Sequence, residues 1–412
     1  MFKFTEPQKM VQQMMRQYVT KEIQPQVEAM EDGKVSCFDL ARKMFKTMGG
    51  EIMIKPSLEK LAKKREEGEV AQVDLANLVS DEDGGGMGDP MMMFIMIKEL
   101  SRVSPGMAMS FGVSAGLAGG AVVSKGTARQ IREYGIPMMT LAKIGAWCLT
   151  EPGAGSDAFG SMKSKARPDG QGGYLINGSK TFITNGPVAD LFVVYARLDR
   201  GEGSGEQPVH TFILERGMPG LSTGTPFHKM GMKDSPTSEV FMEDVHLEKK
   251  HLLGESEDKG GRLATKESLG NERSGVPAIC WGIIERCYEE SVKYAKERVQ
   301  FGRPIAEFQA VQLKVYRMYM HLKNVENIVY RTAWMQKNGI RDVSFVNACK
   351  AYTSTAAVEV TGEALQIFGG YGYMREYPIE KMYRDAKMME LGAGTTDINM
   401  LTCARNELNV VA

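Results

Sequence analysis

The sequence predicts an α+β chain in three consecutive parts: helical, then β, then helical. Apolar residues recur at helical spacing through the first third and again from about residue 262 to the end. Between them, from about 144 to 250, short alternating or β-rich runs are separated by Gly, Pro, Asn and Asp. Segregated runs of this kind point to α+β rather than to alternating α/β. A length of 412 residues also exceeds what one hydrophobic core usually serves. The parts are placed at 1–144, 145–250 and 251–412.

Thr5, Glu6 and Pro7 read as a helix start, with Pro in the first turn. Residues 6–32 follow with Met10, Val11, Met14, Met15, Tyr18, Val19 and Ile23 at helical spacing, and 37–48 repeat the pattern. The run 58–67, LEKLAKKREE, reads as a solvated helix or loop. DEDGGGMGDP at 81–90 reads as a flexible turn and is no nucleotide fingerprint. Helices are expected at 91–103 and 106–124, the first with a Met cluster that suits adaptable core. The runs IGAWCLT, GYLINGSKTFIT, LFVVYARLD, HTFILE and SEVFMEDVHL predict an antiparallel β region. Long helices are expected over 277–299, 306–337 and 345–368.

Bulk composition narrows the function. Net charge is zero and there is no basic stripe, so nucleic acid is not an expected partner. No run of about 18 consecutive apolar residues predicts a membrane span. The N-terminus has no apolar or Arg-rich leader, and structure is expected to start at once, as in a cytoplasmic or already processed protein. Six cysteines without a C-x-x-C pair read as reduced, mostly buried thiols. Five scattered histidines offer no metal-ligand spacing.

The segment most suited to ligand chemistry is Leu149-Thr150-Glu151-Pro152-Gly153-Ala154-Gly155-Ser156-Asp157. Its small residues let backbone amides approach a phosphate or ring, and Ser156 adds a hydroxyl. Taken alone it could be a structural turn. It is followed in order by Asn177–Gly186, Phe227–Lys233, Phe241–Val245, Glu297–Gly302, Phe308-Gln309, Gln366–Tyr373, Tyr383–Lys387 and Gly394–Asn399. In this order and spacing the set resembles the acyl-CoA dehydrogenase family over essentially the whole chain.

The resemblance implies an N-terminal helical domain, a middle β-barrel or sandwich domain and a C-terminal four-helix bundle. It implies FAD as cofactor, acyl-CoA as substrate, an electron-transferring flavoprotein as partner, and a homotetramer built as a dimer of dimers. Thr150 and Ser156 are expected on the flavin, with Trp147, Leu149 and Gly155 beside them, and Ser156 also towards CoA. Phe182, Ile183 and Thr184 are expected against the isoalloxazine. Arg298, Gln300, Phe301, Phe308 and Gln309 match positions that reach FAD across a subunit interface; a plain surface Arg is the competing reading of Arg298. Gln366, Gly369 and Gly370 match an adenine-side stretch, and Thr395 and Asp397 another. Arg405 matches a substrate-side position or is a plain surface Arg, and Arg384 with Asp385 is expected to form an internal ion pair.

One position departs from the family pattern. Many members carry the catalytic Glu just before the C-terminal Gly-Thr, where this chain has Ala393. In isovaleryl-type and long-chain-type branches the base lies earlier, just before an Arg; here that is Glu272 before Arg273, with Glu267 as rival. Glu272 is the expected general base, in a dry pocket that raises a carboxylate pKa. Arg273 is expected on the CoA side. Ala393 and Gly394 are expected at the thioester, because Ala393 keeps the backbone N–H that the family uses as an enolate donor.

The expected reaction is α,β-dehydrogenation of a branched, bulky or ring-bearing acyl-CoA. A flavin oxidase or monooxygenase of the same superfamily is one alternative. A non-catalytic member is another, on the strength of Ala393. Residues 53–80 look longer than the family's usual stretch and either reshape the pocket mouth or extend the surface.

Overall fold

The computed structural model describes residues 3–69, 89–201, 207–257 and 262–410, with backbone only for 262–272. The Gly-rich run at 81–88 and the last part of the lengthened stretch, 70–80, lie outside the described residues.

The N-terminal part begins as the sequence predicts. Helix α1 spans Glu6–Tyr18, and Thr5 caps it in a reciprocal arrangement with Gln8. Its continuation is irregular, passing through π and 3-10 turns at Val19–Ile23 and Gln24–Gln26, where Pro25 cannot donate. Helices α2 (Cys37–Thr47), α3 (Gly50–Glu66), α4 (Pro90–Ser101) and α5 (Pro105–Phe111) follow. A π stretch at Gly112–Gly119 joins α5 to α6 (Gly120–Lys125).

The charged run 58–67 lies mostly in α3, which buries Leu58, Leu61 and Ala62 and leaves most of its charges in solvent. The continuous helical run Pro105–Lys125 is long and apolar enough to cross a membrane, but 72% of its most apolar window is buried against the rest of the protein. It reads as a core helix.

The middle part corrects one expectation: the sheet is mixed, not antiparallel. Its strands are β1 (Gly145–Cys148), β2 (Lys165–Pro168), β3 (Tyr174–Thr184), β4 (Leu191–Leu198), β5 (Val209–Glu215), β6 (Leu221–Thr223) and β7 (Thr237–Leu247). β1 and β2 share one edge of β4, both parallel to it, and β5 pairs antiparallel along the other. The chain then runs β2–β3–β7–β6, all antiparallel.

β4 explains the error. Phe192 and Val194 pack on one side with N-terminal helices, and Leu191, Val193 and Tyr195 on the other. A strand buried on both faces reads as a continuous apolar run, and such a run carries no sign of its neighbours' direction.

The C-terminal part is helical. Helices α7 (Arg262–Glu297), α8 (Gln309–Lys337), α9 (Val343–Phe368) and α11 (Thr396–Glu407) pack with α9 against the other three; α10 (Ile379–Met389) also lies on α9. A short hairpin, β8 (Val299–Gln300) and β9 (Arg303–Pro304), separates α7 from α8. Helix α4 packs on α7 and α8 and ties this bundle to the N-terminal part. All six cysteines are free, five of them buried.

The three parts meet in a buried polar junction that corrects a second expectation. Arg384 and Asp385 do not pair with each other. Asp385 faces Lys381 at 2.5 Å and accepts from the Met232 amide. Arg384 instead pairs with Glu380 at 2.6 Å and with Glu31 at 3.2 Å. Adjacent helical residues point about 100° apart, whereas Lys381 and Asp385 lie one above the other at i and i+4.

Candidate active site

Glu151, Pro152, Gly153 and Ala154 form a tight turn after β1. The amides and carbonyls of Glu151 and Ala154 exchange two hydrogen bonds, 3.2 and 3.1 Å long. The turn is anchored through the Glu151 side chain, which is buried. It accepts from the Lys163 and Ser164 amides at 2.6 and 2.9 Å and from Lys180 Nζ at 2.8 Å. Burial pushes this carboxyl up, but Lys180 and the amide donors outweigh it and hold it below its ordinary range. Lys180 also donates to the Leu149 carbonyl, and the Thr181 amide to that of Thr150, at 2.9 Å. These bonds lock the turn to β3.

On β3 the register shifts between Lys180 and Ile183. Phe182 sits in that bulge at φ +56 and is 71% exposed, 5.7 Å in ring centroid from Phe227. A bulge re-aims a side chain, and a left-handed Phe stores strain that persists only when the surroundings impose it. Ile183 is buried and Thr184 half-buried beside Thr237. Trp147 donates from Nε1 to the Tyr195 hydroxyl at 3.0 Å. In front of Gly153 and Gly155 the space is open, with nothing within 4 Å of an added Cβ. Ser156 is exposed at the edge of that opening.

A second group gathers at the β8–β9 hairpin. The Arg298 guanidinium lies over the Tyr371 ring at 5.5 Å, which joins it to Gly369 and Gly370. Both glycines also face open space. Phe301 is 93% exposed at φ +51 and meets Phe308 edge-on at 5.9 Å. Gln300, Gln309 and Gln366 are exposed. Among the described residues, no hydrogen bond or ring contact joins Arg298, Gln300 or Phe301 to the 147–156 turn.

The third group is the loop before α11. Ala393 has φ +56 and Gly394 φ +82. Arg273 Nε donates to the Ala393 carbonyl at 3.1 Å, and its Nη1 donates to Asn347 at 3.0 Å. Lys350 Nζ donates to the Gly394 carbonyl at 2.6 Å, and Asn399 donates to those of Gly394 and Thr395 at 2.8 and 2.9 Å. Among the described residues, none accepts from the Ala393 amide. Thr395 caps α11 through its hydroxyl, Asp397 is exposed in the first turn, and Arg405 is exposed in the last. The side chains of Glu272 and Glu267 lie outside the described residues.

Sequence reasoning missed Glu151 with Lys180, and Lys350 with Asn347 and Asn399. The signal for Lys350 was a lone cation inside a run of mostly small residues, NACKAYTSTAAVEV.

A strained, exposed aromatic, an open Gly turn and a carbonyl-anchored loop make up the candidate site. Comparison with known proteins gives the family. The acyl-CoA dehydrogenase N-terminal, middle and C-terminal domain models match residues 51–141, 146–245 and 258–408. The chain is 39% identical over 318 residues to the caffeyl-CoA reductase–Etf complex subunit CarC of Acetobacterium woodii, covering 77% of this chain and 82% of that one. It is 37% identical over 333 residues to mitochondrial isovaleryl-CoA dehydrogenase of Oryza sativa subsp. japonica, covering 81% and 80%.

Among solved structures, butyryl-CoA dehydrogenase from Megasphaera elsdenii superposes with a TM-score of 0.83 at 30% identity, over 98% of this chain and 99% of that one. An acyl-CoA dehydrogenase complexed with FAD from Bacillus anthracis superposes with a TM-score of 0.80 at 29% identity, over 98% and 67%. The chain belongs to the acyl-CoA dehydrogenase family, whose members are oxidoreductases acting on CH–CH groups.

Proposed function

We propose that this chain binds FAD and dehydrogenates an acyl-CoA thioester between its α and β carbons, with Glu272 as the base. The carrying observation is the Ala393–Thr395 loop: Arg273, the next residue after Glu272, reaches the Ala393 carbonyl at 3.1 Å. Arg273 thereby ties this part of the helix to the loop in which Ala393 stands at the family's usual carboxylate position, which supports a base on that part of the helix.

The residues present fit FAD. Gly153 and Gly155 leave open space where a side chain would intrude, and Phe182 offers an exposed ring beside it. Trp147, Leu149, Thr150, Ser156, Ile183 and Thr184 would hold the flavin end. Arg298, Gln300, Phe301, Phe308 and Gln309 would reach the cofactor of a neighbouring copy in a homotetramer, with Gln366, Gly369, Gly370, Thr395 and Asp397 completing the site. The exposure and strained backbone of Phe301 support that reading. Bound FAD supplies the hydride acceptor.

Glu272 takes the α proton, and the Ala393 amide, without a described acceptor, donates to the thioester oxygen as negative charge develops there. Ser156 and Arg273 serve the CoA side, with Gly394 and Arg405 nearer the acyl group. An electron-transferring flavoprotein is the proposed acceptor, supported by the relative named as part of an Etf complex.

The substrate is proposed to be branched, bulky or ring-bearing, from the base placement and the isovaleryl-type relative. The division at 1–144, 145–250 and 251–412 belongs to the same proposal. The test is a screen of straight, branched and aromatic acyl-CoAs with a dye acceptor, beside anaerobic flavin bleaching. Highest kcat/KM with a branched or aromatic substrate is expected. Preference for a short straight chain would overturn the substrate assignment, and peroxide formed at the rate of turnover in air would favour an oxidase.

A further inference from the structure

The Ala393–Thr395 loop is held by its carbonyls. Arg273 takes the first, Lys350 and Asn399 share the second, and Asn399 takes the third. Lys350 and Asn399 are both 0% exposed. Burying an ammonium costs several kcal/mol unless it is strongly engaged. The neighbours of Lys350 on α9 that are also buried are small: Ala351, Thr353, Ser354, Ala356 and Ala357. An apolar residue would fill this position without the cost, so packing alone does not account for a lysine.

The backbone supplies the second observation. A left-handed conformation costs a non-glycine residue such as Ala393 about 1–2 kcal/mol, and it persists where the surroundings over-determine it. Here they do. A Cβ added at Gly394 would lie 3.2 Å from Arg273 Nη2 and 3.3 Å from Asn399 Nδ2, so the donors close tightly on the loop. With consecutive carbonyls engaged, the peptide planes that follow Ala393 and Gly394 are fixed, and the loop that carries the Ala393 amide is held in its strained left-handed course.

We propose that Lys350 is a positioning residue for the reaction: by holding the Gly394 carbonyl with Asn399, it keeps the Ala393 amide aimed at the thioester oxygen of the bound acyl-CoA. Lys350 touches neither substrate nor flavin. The proposal rests on the function proposed above, in which that amide serves the developing enolate.

The test uses the full-length, FAD-loaded protein and an enoyl-CoA labelled with ¹³C at the thioester carbonyl. Infrared spectroscopy reads the carbonyl stretch, which a hydrogen bond lowers. The wild-type protein is expected to lower it relative to free ligand. Lys350→Met is expected to bind the ligand within about threefold, return the stretch towards the free value, and lose roughly tenfold to hundredfold in kcat with a smaller change in KM. Asn399→Leu, which keeps the volume and removes the donor, is expected to shift the stretch in the same direction and serves if Lys350→Met does not fold. A lowered wild-type stretch that persists in the folded variants, with kcat unchanged, overturns the role of Lys350 alone. No lowering in the wild type overturns the reading of the Ala393 amide and this proposal with it.

Discussion

Two loops carry the proposed chemistry, and they are fastened by opposite means. The Glu151–Ser156 turn is gripped through a side chain: the buried Glu151 carboxylate binds Lys180 and two amides, and open space is left before Gly153 and Gly155. The Ala393–Thr395 loop is gripped through its carbonyls by Arg273, Lys350 and Asn399, and the Ala393 amide is left over. Each loop is anchored by atoms it does not need for a ligand. The first can therefore present backbone to a cofactor, and the second can present one N–H to a thioester.

The comparison breaks first at Glu151. Glu151→Ala leaves Lys180 buried without its carboxylate and is expected to cost about 3–5 kcal/mol in urea denaturation. Replacing both partners, Glu151→Leu with Lys180→Met, should cost markedly less. A double variant as unstable as the single one would show that the pair does not act as a unit. Next comes the open space. Gly155→Val should leave the unfolding free energy of the cofactor-free protein within about 0.5 kcal/mol while weakening FAD at least about tenfold. Unchanged FAD affinity in a flavin titration would place the cofactor elsewhere.

The smallest expected effect is on pH dependence. The Glu151 carboxyl is held below its ordinary value of about 4.5, net of the burial that opposes this. Its stabilisation is therefore complete above about pH 4.5 and is lost as pH falls through the folded pKa. The stability gap between wild type and Glu151→Gln should narrow on acidification. The Asn399 amide that holds the carbonyl-bound loop does not titrate, so the gap between wild type and Asn399→Leu should not narrow in the same way.

Much of this was legible in the sequence, for reasons that differ between regions. Helical periodicity located the long C-terminal helices, and Thr5 with Pro7 located the first helix. The direction of β1 and β2 against β4 was not legible, because both faces of β4 are covered and its apolar run has no alternation to read. The partner of Asp385 was present in the sequence as Lys381 four residues earlier, yet adjacency to Arg384 suggested the wrong pair. Glu151 was hidden inside its own motif, where it looked like one more polar residue of a Gly-rich turn. Lys350 was missed because one of its partners is a backbone carbonyl 44 residues away, and a cation in a helical run does not by itself point to a carbonyl. The proposed base at Glu272 rests on Ala393 and the Asn271-Glu272-Arg273 triplet, and the contact from Arg273 to the Ala393 carbonyl supports that proposal.

The most direct test of the account is anaerobic reduction of the bound flavin by acyl-CoA in the wild type, in Glu272→Gln, and in Glu272→Gln combined with Ala393→Glu. Rapid bleaching is expected in the wild type, a loss of about 10²–10⁴-fold in rate in Glu272→Gln, and partial recovery in the double variant. Bleaching of Glu272→Gln at the wild-type rate would contradict the assignment of the base.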